Sequence, residues 1–183
     1  MVGLIQKLLM DLIEESAGAE ASAEVKRRAD VPADRVFRMD EFYDDEEWRR
    51  LFAATCEVLN ITPEQAEEAF ADFFFKDSQR RWPMWFKMSK NAREFLIRQP
   101  AIHNGFATGV RDAEARQAIT DKFEVKENGQ DLVVHYRSPN KLCGLYMKLA
   151  ERTINLYGDN ATVHEKRCSK NGDAECEIHV QWA

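Results

Sequence analysis

The stretch YRSPNKLCGLYMKLAERTINLYGDNATVHEKRCSKNGDAEC, residues 136–176, carries the strongest signals for the fold of this chain. Apolar residues recur at helical spacing from Leu142 to Leu156, and the run ends at Tyr157-Gly158, a typical helix end. Residues on both sides of Asn171-Gly172 alternate between apolar and polar, as expected of a β-hairpin. The stretch therefore predicts a helix followed by two antiparallel strands.

A second hairpin is predicted immediately upstream. Phe123 and Val125 alternate with polar residues, and Leu132 and Val134 do the same after the turn at Asn128-Gly129. Asn-Gly between two alternating segments is a strong local signal for a tight hairpin. The helix of the first stretch is thus expected to lie between two hairpins.

The residues before about 118 have helical periodicity instead. An amphipathic helix is predicted from Leu4, and a capping box with proline at the first helical position places another helix start at Thr62. Pro83 is expected to break the chain between helices. Pro100 is expected to interrupt the helix that starts near Asn91, with a new helix beginning there.

This order of elements predicts an α+β fold in one domain of residues 1–183. A helical N-terminal lobe is expected over residues 1–62. A C-terminal lobe over residues 63–183 is expected to carry a four-stranded antiparallel sheet, with one helix inserted between the two hairpins.

The amino-acid composition and the motifs that the sequence lacks argue against several classes of function. The net charge is −6 and basic blocks are lacking, which argues against nucleic-acid binding. No apolar run approaches the length of a membrane span, and the start of the chain does not resemble a signal peptide, so a cytoplasmic location is expected. The sequence contains no Gly-rich phosphate loop, nucleophile elbow or open three-ligand metal site, and we therefore do not expect an enzyme.

Three cysteines and a histidine have metal-ligand spacing. His164 and Cys168 are four residues apart on a predicted strand, which places them on one face, and Cys176 falls on the partner strand. Cys143, in the first turn of the inserted helix, would complete a tetrahedral zinc site. Such a site has no open position for water and would be structural or redox-sensitive. Packed thiols without a metal are the alternative.

Several segments, in their order and spacing, resemble the H-NOX (haem nitric oxide/oxygen binding) family: residues 1–5, 34–36, 68–73, 82–86, 136–143 and 168–176. The resemblance implies haem b held between the two lobes, with His103 as the iron ligand. It also implies a Tyr-x-Ser-x-Arg motif on the haem propionates, matched by Tyr136 and Ser138. The arginine position of that motif is Asn140, and Lys141 or Arg137 is a possible substitute for the missing charge.

The resemblance further implies a gas sensor that binds nitric oxide and signals to a histidine kinase or a diguanylate cyclase/phosphodiesterase in trans. Some bacterial members also carry a zinc cluster like that of Cys143, His164, Cys168 and Cys176. An apolar distal pocket would disfavour O₂, because bound O₂ gains from a hydrogen-bond donor and neutral NO does not. The residues expected in that pocket are Ile5, Leu9, Phe74, Leu145 and Leu149.

A second hypothesis remains open. In it, the chain is a zinc-stabilised regulatory module of H-NOX-like or vinyl-reductase-like fold that binds no haem. Such a module would sense another small ligand or thiol redox state. Asn140 favours this reading, whereas His103 favours haem.

Overall fold

The computed structural model describes residues 2–105, 108 and 113–183. The chain divides into two compact units, Met1–Phe74 and Phe75–Ala183. The division falls inside a helix, Pro63–Arg81, and so lies further along the chain than the lobe boundary expected at residue 62. No helix among these residues is both long and apolar enough to cross a membrane.

The first unit is helical. Its elements are α1 (Leu4–Arg28), α2 (Asp45–Leu59) and the start of α3 (Pro63–Arg81). α1 is kinked at Gly18, where φ is 86°. The predicted capping box at the start of α3 is present: the Thr62 backbone N–H donates to the Gln65 side chain, and the Gln65 backbone N–H donates to the Thr62 hydroxyl.

Gly3 allows the chain start to approach the segment before α2. A Cβ at this position would lie 2.1 Å from the backbone oxygen of Arg38 and 2.4 Å from the ring of Tyr43. The Gly3 backbone N–H donates to the Glu41 carbonyl at 2.8 Å. Only a residue without a side chain fits here, so this glycine determines how the first turn of α1 is attached within its unit.

The second unit contains the remaining helices and the sheet. Its elements are α4 (Pro83–Lys87), α5 (Ala92–Gly105), α6 (Ala113–Thr120), β1 (Phe123–Asn128), β2 (Asp131–Tyr136), α7 (Cys143–Tyr157), β3 (Ala161–Arg167), a 3-10 turn (Ser169–Asn171) and β4 (Cys176–Trp182). α3 ends at Arg81 and α4 begins at Pro83, so the break that the sequence predicts between helices is present. Pro100, however, lies inside a continuous α5, so the predicted interruption is wrong. A proline ring disrupts only local backbone bonds, and packing is present on both sides of it: Phe95 and Leu96 are buried before Pro100, and half-buried Ile102 packs against the core after it.

The sheet has the predicted four antiparallel strands, in the order β1-β2-β4-β3. α7 connects the two hairpins and contacts both α5 and β3, and α5 contacts β1. One face of the sheet is buried under these helices, because Leu132, Val134, Ile178 and Val180 are fully buried and alternate with half-buried residues. The α+β prediction is confirmed.

One irregularity in β3 matters for the site. Val163 pairs with Val180 and Glu165 pairs with Ile178, but the next pair is Arg167 with Glu177. Lys166 is therefore an extra residue, a β-bulge, and side chains after it face the opposite way from that expected by simple alternation.

Candidate functional site

His103 packs against one member of an aromatic cluster in the second unit. The ring of His103 on α5 meets the edge of Phe123 on β1, with the ring centroids 4.8 Å apart. Phe123 also lies 4.8 Å from Tyr136 on β2 and 5.5 Å from Tyr146 on α7. Phe123 thus contacts both His103 and the two tyrosines on β2 and α7.

The His103 imidazole is held in its neutral form. Burial, followed by the positive charge of Lys122, lowers the pKa of His103 to about 4, against a smaller opposing effect of the Asn104 side chain. Its Nδ1 atom is buried and has no hydrogen-bond partner among the residues that the structure describes. A neutral imidazole with an unpartnered buried nitrogen is a good donor for a metal.

The three residues predicted to hold propionates lie together at the end of β2. The hydroxyl of buried Tyr136 is hydrogen-bonded to the Ser138 side chain and to the Leu142 backbone, while burial raises the pKa of Tyr136 above its usual range. The backbone N–H of Asn140 donates to the Ser138 hydroxyl at 3.3 Å. Residues 136–140 form a compact turn, and the hydroxyls of Tyr136 and Ser138 are groups that can donate hydrogen bonds to a carboxylate.

Arg137 and Lys141, the two basic residues at this turn, differ in whether they form ion pairs. The Arg137 guanidinium forms ion pairs with Glu124, at 2.9 Å, and with Glu175. Lys141 is exposed and adopts a left-handed backbone conformation with φ of 52°. Within the described parts of the chain, the Lys141 ammonium makes no ion pair, so Lys141 is the cation better able to meet a carboxylate.

The sequence alone predicts no role for the hydroxyl of Tyr146. Its side chain is 3% exposed, and its hydroxyl has no hydrogen-bond partner among the described residues. Burial raises the pKa of this phenol well above its usual range. A buried, unpartnered hydroxyl is rare, because leaving its hydrogen bond unmade costs free energy.

The three predicted cysteine ligands do come together. Cys143 at the start of α7, Cys168 after β3 and Cys176 at the start of β4 are all buried, and the Sγ atoms of Cys143 and Cys168 are 3.7 Å apart. The Sγ atoms of all three lie within 4.8 Å of one another and of a carboxylate oxygen of Glu165. Burial, then the neighbouring Cys176, raises the pKa of Cys143, so a cation is needed to hold these sulfurs as thiolates.

His164 is not part of this cluster, which corrects the sequence prediction. It pairs with His179 across β3 and β4, their ring centroids 5.3 Å apart, on the face opposite Cys176. The four-residue spacing to Cys168 is misleading because the bulge at Lys166 reverses the alternation between them. Glu165, on the Cys176 face, was missed because nothing in the sequence indicates the bulge.

Hydrogen bonds around the sulfurs fix their positions. The backbone N–H of Ser169 donates to the Cys176 Sγ at 3.3 Å, and the backbone N–H of Cys168 donates to the Asp173 carboxylate at 2.8 Å. Contacts of this kind orient metal ligands and stabilise thiolates. The turn between β3 and β4 is therefore shaped around the cluster.

The five residues predicted for a distal pocket belong to different units. Ile5, Leu9 and Phe74 lie in the first unit, where Leu9 is buried and the other two are half-buried. Leu145 and Leu149 lie on α7 in the second unit, buried and half-buried respectively. Their assembly into one pocket stays a prediction.

Residues 2–165 match the model of the Haem-NO-binding family. The chain belongs to this family. The family consists of haem-binding gas sensors, so the resemblance found in the sequence is confirmed at that level.

Individual relatives agree with this assignment. The chain is 29% identical over 105 residues to soluble guanylate cyclase gcy-37 of Caenorhabditis elegans; the match covers 56% of this chain and 15% of that protein. The chain thus spans about a seventh of the length of this curated relative. Among solved structures, it is similar to an H-NOX protein from S. oneidensis in the Fe(II)NO ligation state (19% identity, TM-score 0.74, 100% and 99% of the two chains). It is also similar to an oxygen-binding H-NOX domain related to soluble guanylate cyclases (18% identity, TM-score 0.77, 100% and 95%).

The donor groups of the second unit fit haem. His103 offers an unpartnered neutral nitrogen, Tyr136 and Ser138 offer hydroxyls, and Lys141 offers a positive charge. Asn140 lacks the charge of the family arginine but lies in the same turn. A histidine nitrogen can ligate haem iron, and hydroxyl and cationic groups can bind carboxylates, so these residues are chemically suited to b-type haem.

Proposed function

We propose that this protein is a haem-based nitric oxide sensor rather than an enzyme. The observation that carries the proposal is His103, a half-buried histidine whose Nδ1 has no partner within the described part of the chain and whose low pKa keeps it neutral. Haem, when bound, would supply the iron that takes up the gas. His103 would hold the iron, and Tyr136 and Ser138, with Lys141, would hold the propionates.

His103 also provides a route from a gas site to the rest of its unit. It lies on α5, which contacts β1 and α7, and its ring touches Phe123, which in turn touches Tyr136 and Tyr146. A displacement of the His103 imidazole would therefore shift packed side chains on β1, β2 and α7. Packed aromatic groups have few alternative arrangements, and a small displacement can therefore select between two states.

An absorption spectrum tests the proposal. The purified chain, supplied with haem and reduced, is expected to show a Soret band that moves when NO is added. His103→Ala should lose haem and regain it when free imidazole is supplied. His179→Ala is the matched control, because the His179 ring already pairs with Glu177 at 2.7 Å and should not affect haem. A protein that stays colourless with added haem would overturn the proposal.

The preference for NO over O₂ rests on the side chains expected around the gas. Ile5, Leu9, Phe74, Leu145 and Leu149 all lack a hydrogen-bond donor. Bound O₂ carries partial negative charge and gains from a donor, whereas NO gains little. The reduced protein should therefore form an NO complex but no stable O₂ complex in air. An O₂ complex that Tyr146→Phe abolishes would show that the Tyr146 hydroxyl supplies the missing donor.

The output would be a change in a partner. We propose a histidine kinase or a diguanylate cyclase/phosphodiesterase acting in trans in the cytoplasm. The test is the activity of such a partner from the same source, measured with this protein in its unliganded and NO-bound states. An activity that is the same in both states would contradict a role in signalling to that partner.

Zinc is the second proposed cofactor, supported by the three buried sulfurs of Cys143, Cys168 and Cys176. These sulfurs also favour the second candidate function, a zinc-stabilised module that senses another ligand or thiol oxidation without haem. Metal analysis decides whether zinc is present. The Soret measurement then separates the two functions, because only the first predicts a coloured protein.

A further inference from the structure

We infer that Glu165, and not His164, is the fourth ligand of the metal site, which makes it a site of three thiolates and one carboxylate. The inference rests on the zinc site of the proposed function and specifies its donor set. A carboxylate oxygen is an accepted zinc ligand, and the mixed donor set of three sulfurs and one oxygen suits Zn²⁺.

The β-bulge places the carboxylate on the metal side of the sheet. Glu165 pairs with Ile178, which alternates with Cys176 on the buried face of β4. The extra residue Lys166 then turns the chain so that Cys168 also reaches this face. Glu165 and Cys168, three residues apart, therefore converge, whereas His164 lies on the opposite face beside His179.

The ligand atoms have the spacing of a tetrahedral site. Zn–S bonds of about 2.3 Å at tetrahedral angles place two sulfurs roughly 3.8 Å apart. The Sγ atoms of Cys143 and Cys168 are 3.7 Å apart, and all four donor atoms lie within 4.8 Å of one another. Closing such a site around an ion requires only small side-chain movements.

An unpaired buried oxygen points to the same conclusion. The Oε1 atom of Glu165 is buried and has no hydrogen-bond partner among the described residues. The Cys168 side chain is hydrogen-bonded to this carboxylate, but the buried Oε1 atom without a partner is unfavourable, and a bound cation would satisfy it. The His164 side chain is exposed and has no such need.

The first experiment uses the unmutated full chain loaded with one equivalent of zinc. Zinc K-edge X-ray absorption should show three sulfur scatterers at about 2.3 Å and one oxygen at about 2.0 Å. The outer-shell scattering of an imidazole ring should be missing. Imidazole scattering from the bound zinc would overturn the inference.

The second experiment compares matched substitutions by competition with a chromophoric zinc chelator. Glu165→Gln should weaken zinc binding about tenfold or more, because the neutral amide is a poor ligand. His164→Gln should leave the affinity unchanged. The reverse result would identify His164 as the ligand. Circular dichroism of the variants before metal removal checks that each is folded.

The outcomes separate the two levels of the proposal. If the purified chain neither contains nor takes up zinc, the zinc site itself fails and this inference fails with it. If zinc binds and Cys168→Ser loses it, but Glu165→Gln binds as tightly as the unmutated chain, only the carboxylate ligand is wrong. Haem binding is measured separately, from the Soret band, and neither of these outcomes is judged by it.

Discussion

Tyr136 lies directly opposite Cys176 in the pairing of β2 with β4. The hydroxyl of Tyr136 belongs to the proposed propionate site, and the thiol of Cys176 belongs to the proposed metal site. α7 starts between them, with Cys143 as its first residue. The two sites therefore share a strand pair and the first turn of one helix.

This proximity predicts that metal loss weakens haem retention. In Cys176→Ser, the start of β4 would lose its metal anchor, so Tyr136 and its turn should become less ordered and haem should leave about fivefold faster. The measurement is haem transfer to excess apomyoglobin. Cys56→Ser is the control, because Cys56 lies on α2 in the first unit and is not one of the cluster residues. Equal transfer rates for all three proteins would show that the sites are independent.

The charge that replaces the family arginine can be located by a matched pair of variants. Lys141→Gln replaces an exposed positive charge by a neutral polar group, and should speed haem loss about two- to fivefold, as expected for one exposed ion pair. Arg137→Gln should have no such effect, because Arg137 is already paired with Glu124 and Glu175. A larger effect of Arg137→Gln would mean that this guanidinium leaves its partners when haem binds.

Asp77 predicts a pH-dependent part of the stability. Burial tends to raise the pKa of this carboxyl, but hydrogen bonds from Arg80 and Arg81 outweigh it and the pKa is lowered. The folded state thus binds its proton less tightly than the unfolded chain. The stability that ionised Asp77 contributes is fully present above the pKa of aspartate in the unfolded chain, about 4. It is lost as the pH falls through the lower pKa of Asp77 in the folded protein.

The free energy of unfolding in urea should therefore be lower in Asp77→Asn than in the unmutated chain, by about 1 to 2 kcal/mol at pH 7. The difference should shrink as pH is reduced towards 3. Asp34→Asn, at an exposed position, is the control. A difference that does not change with pH would assign the loss to packing rather than to charge.

The sequence alone predicts the features of the fold that are set by residues close to one another in the chain. The Asn128-Gly129 turn, the capping box at Thr62 and the helix end at Gly158 all form where predicted, since each is set by local backbone preferences. Alternation of apolar residues was enough to predict four antiparallel strands. The meeting of Cys143, Cys168 and Cys176 followed from these elements.

Features that depend on tertiary packing were not predictable. Pro100 is accommodated inside α5, where Leu96 before it is buried and Ile102 after it packs against the core. The bulge at Lys166 has no glycine or other local signature, yet it exchanges His164 for Glu165 in the metal cluster. A shift of one residue in a strand reverses every side chain beyond it, so a small error in register changes the ligand set.

Tyr146 and Tyr157 provide a final pair of substitutions, on the same helix and with opposite expected signs. The buried Tyr146 hydroxyl has no partner within the described residues, so Tyr146→Phe should stabilise the haem-free protein by about 1 kcal/mol. The Tyr157 hydroxyl donates to the Phe86 carbonyl at 2.6 Å, and Tyr157→Phe should therefore destabilise the protein by a similar amount. Thermal unfolding followed by circular dichroism should show the melting temperature rising by about 3 °C in the first variant and falling by about 3 °C in the second. A fall in both variants would mean that the Tyr146 hydroxyl is hydrogen-bonded in solution, for instance to a buried water molecule.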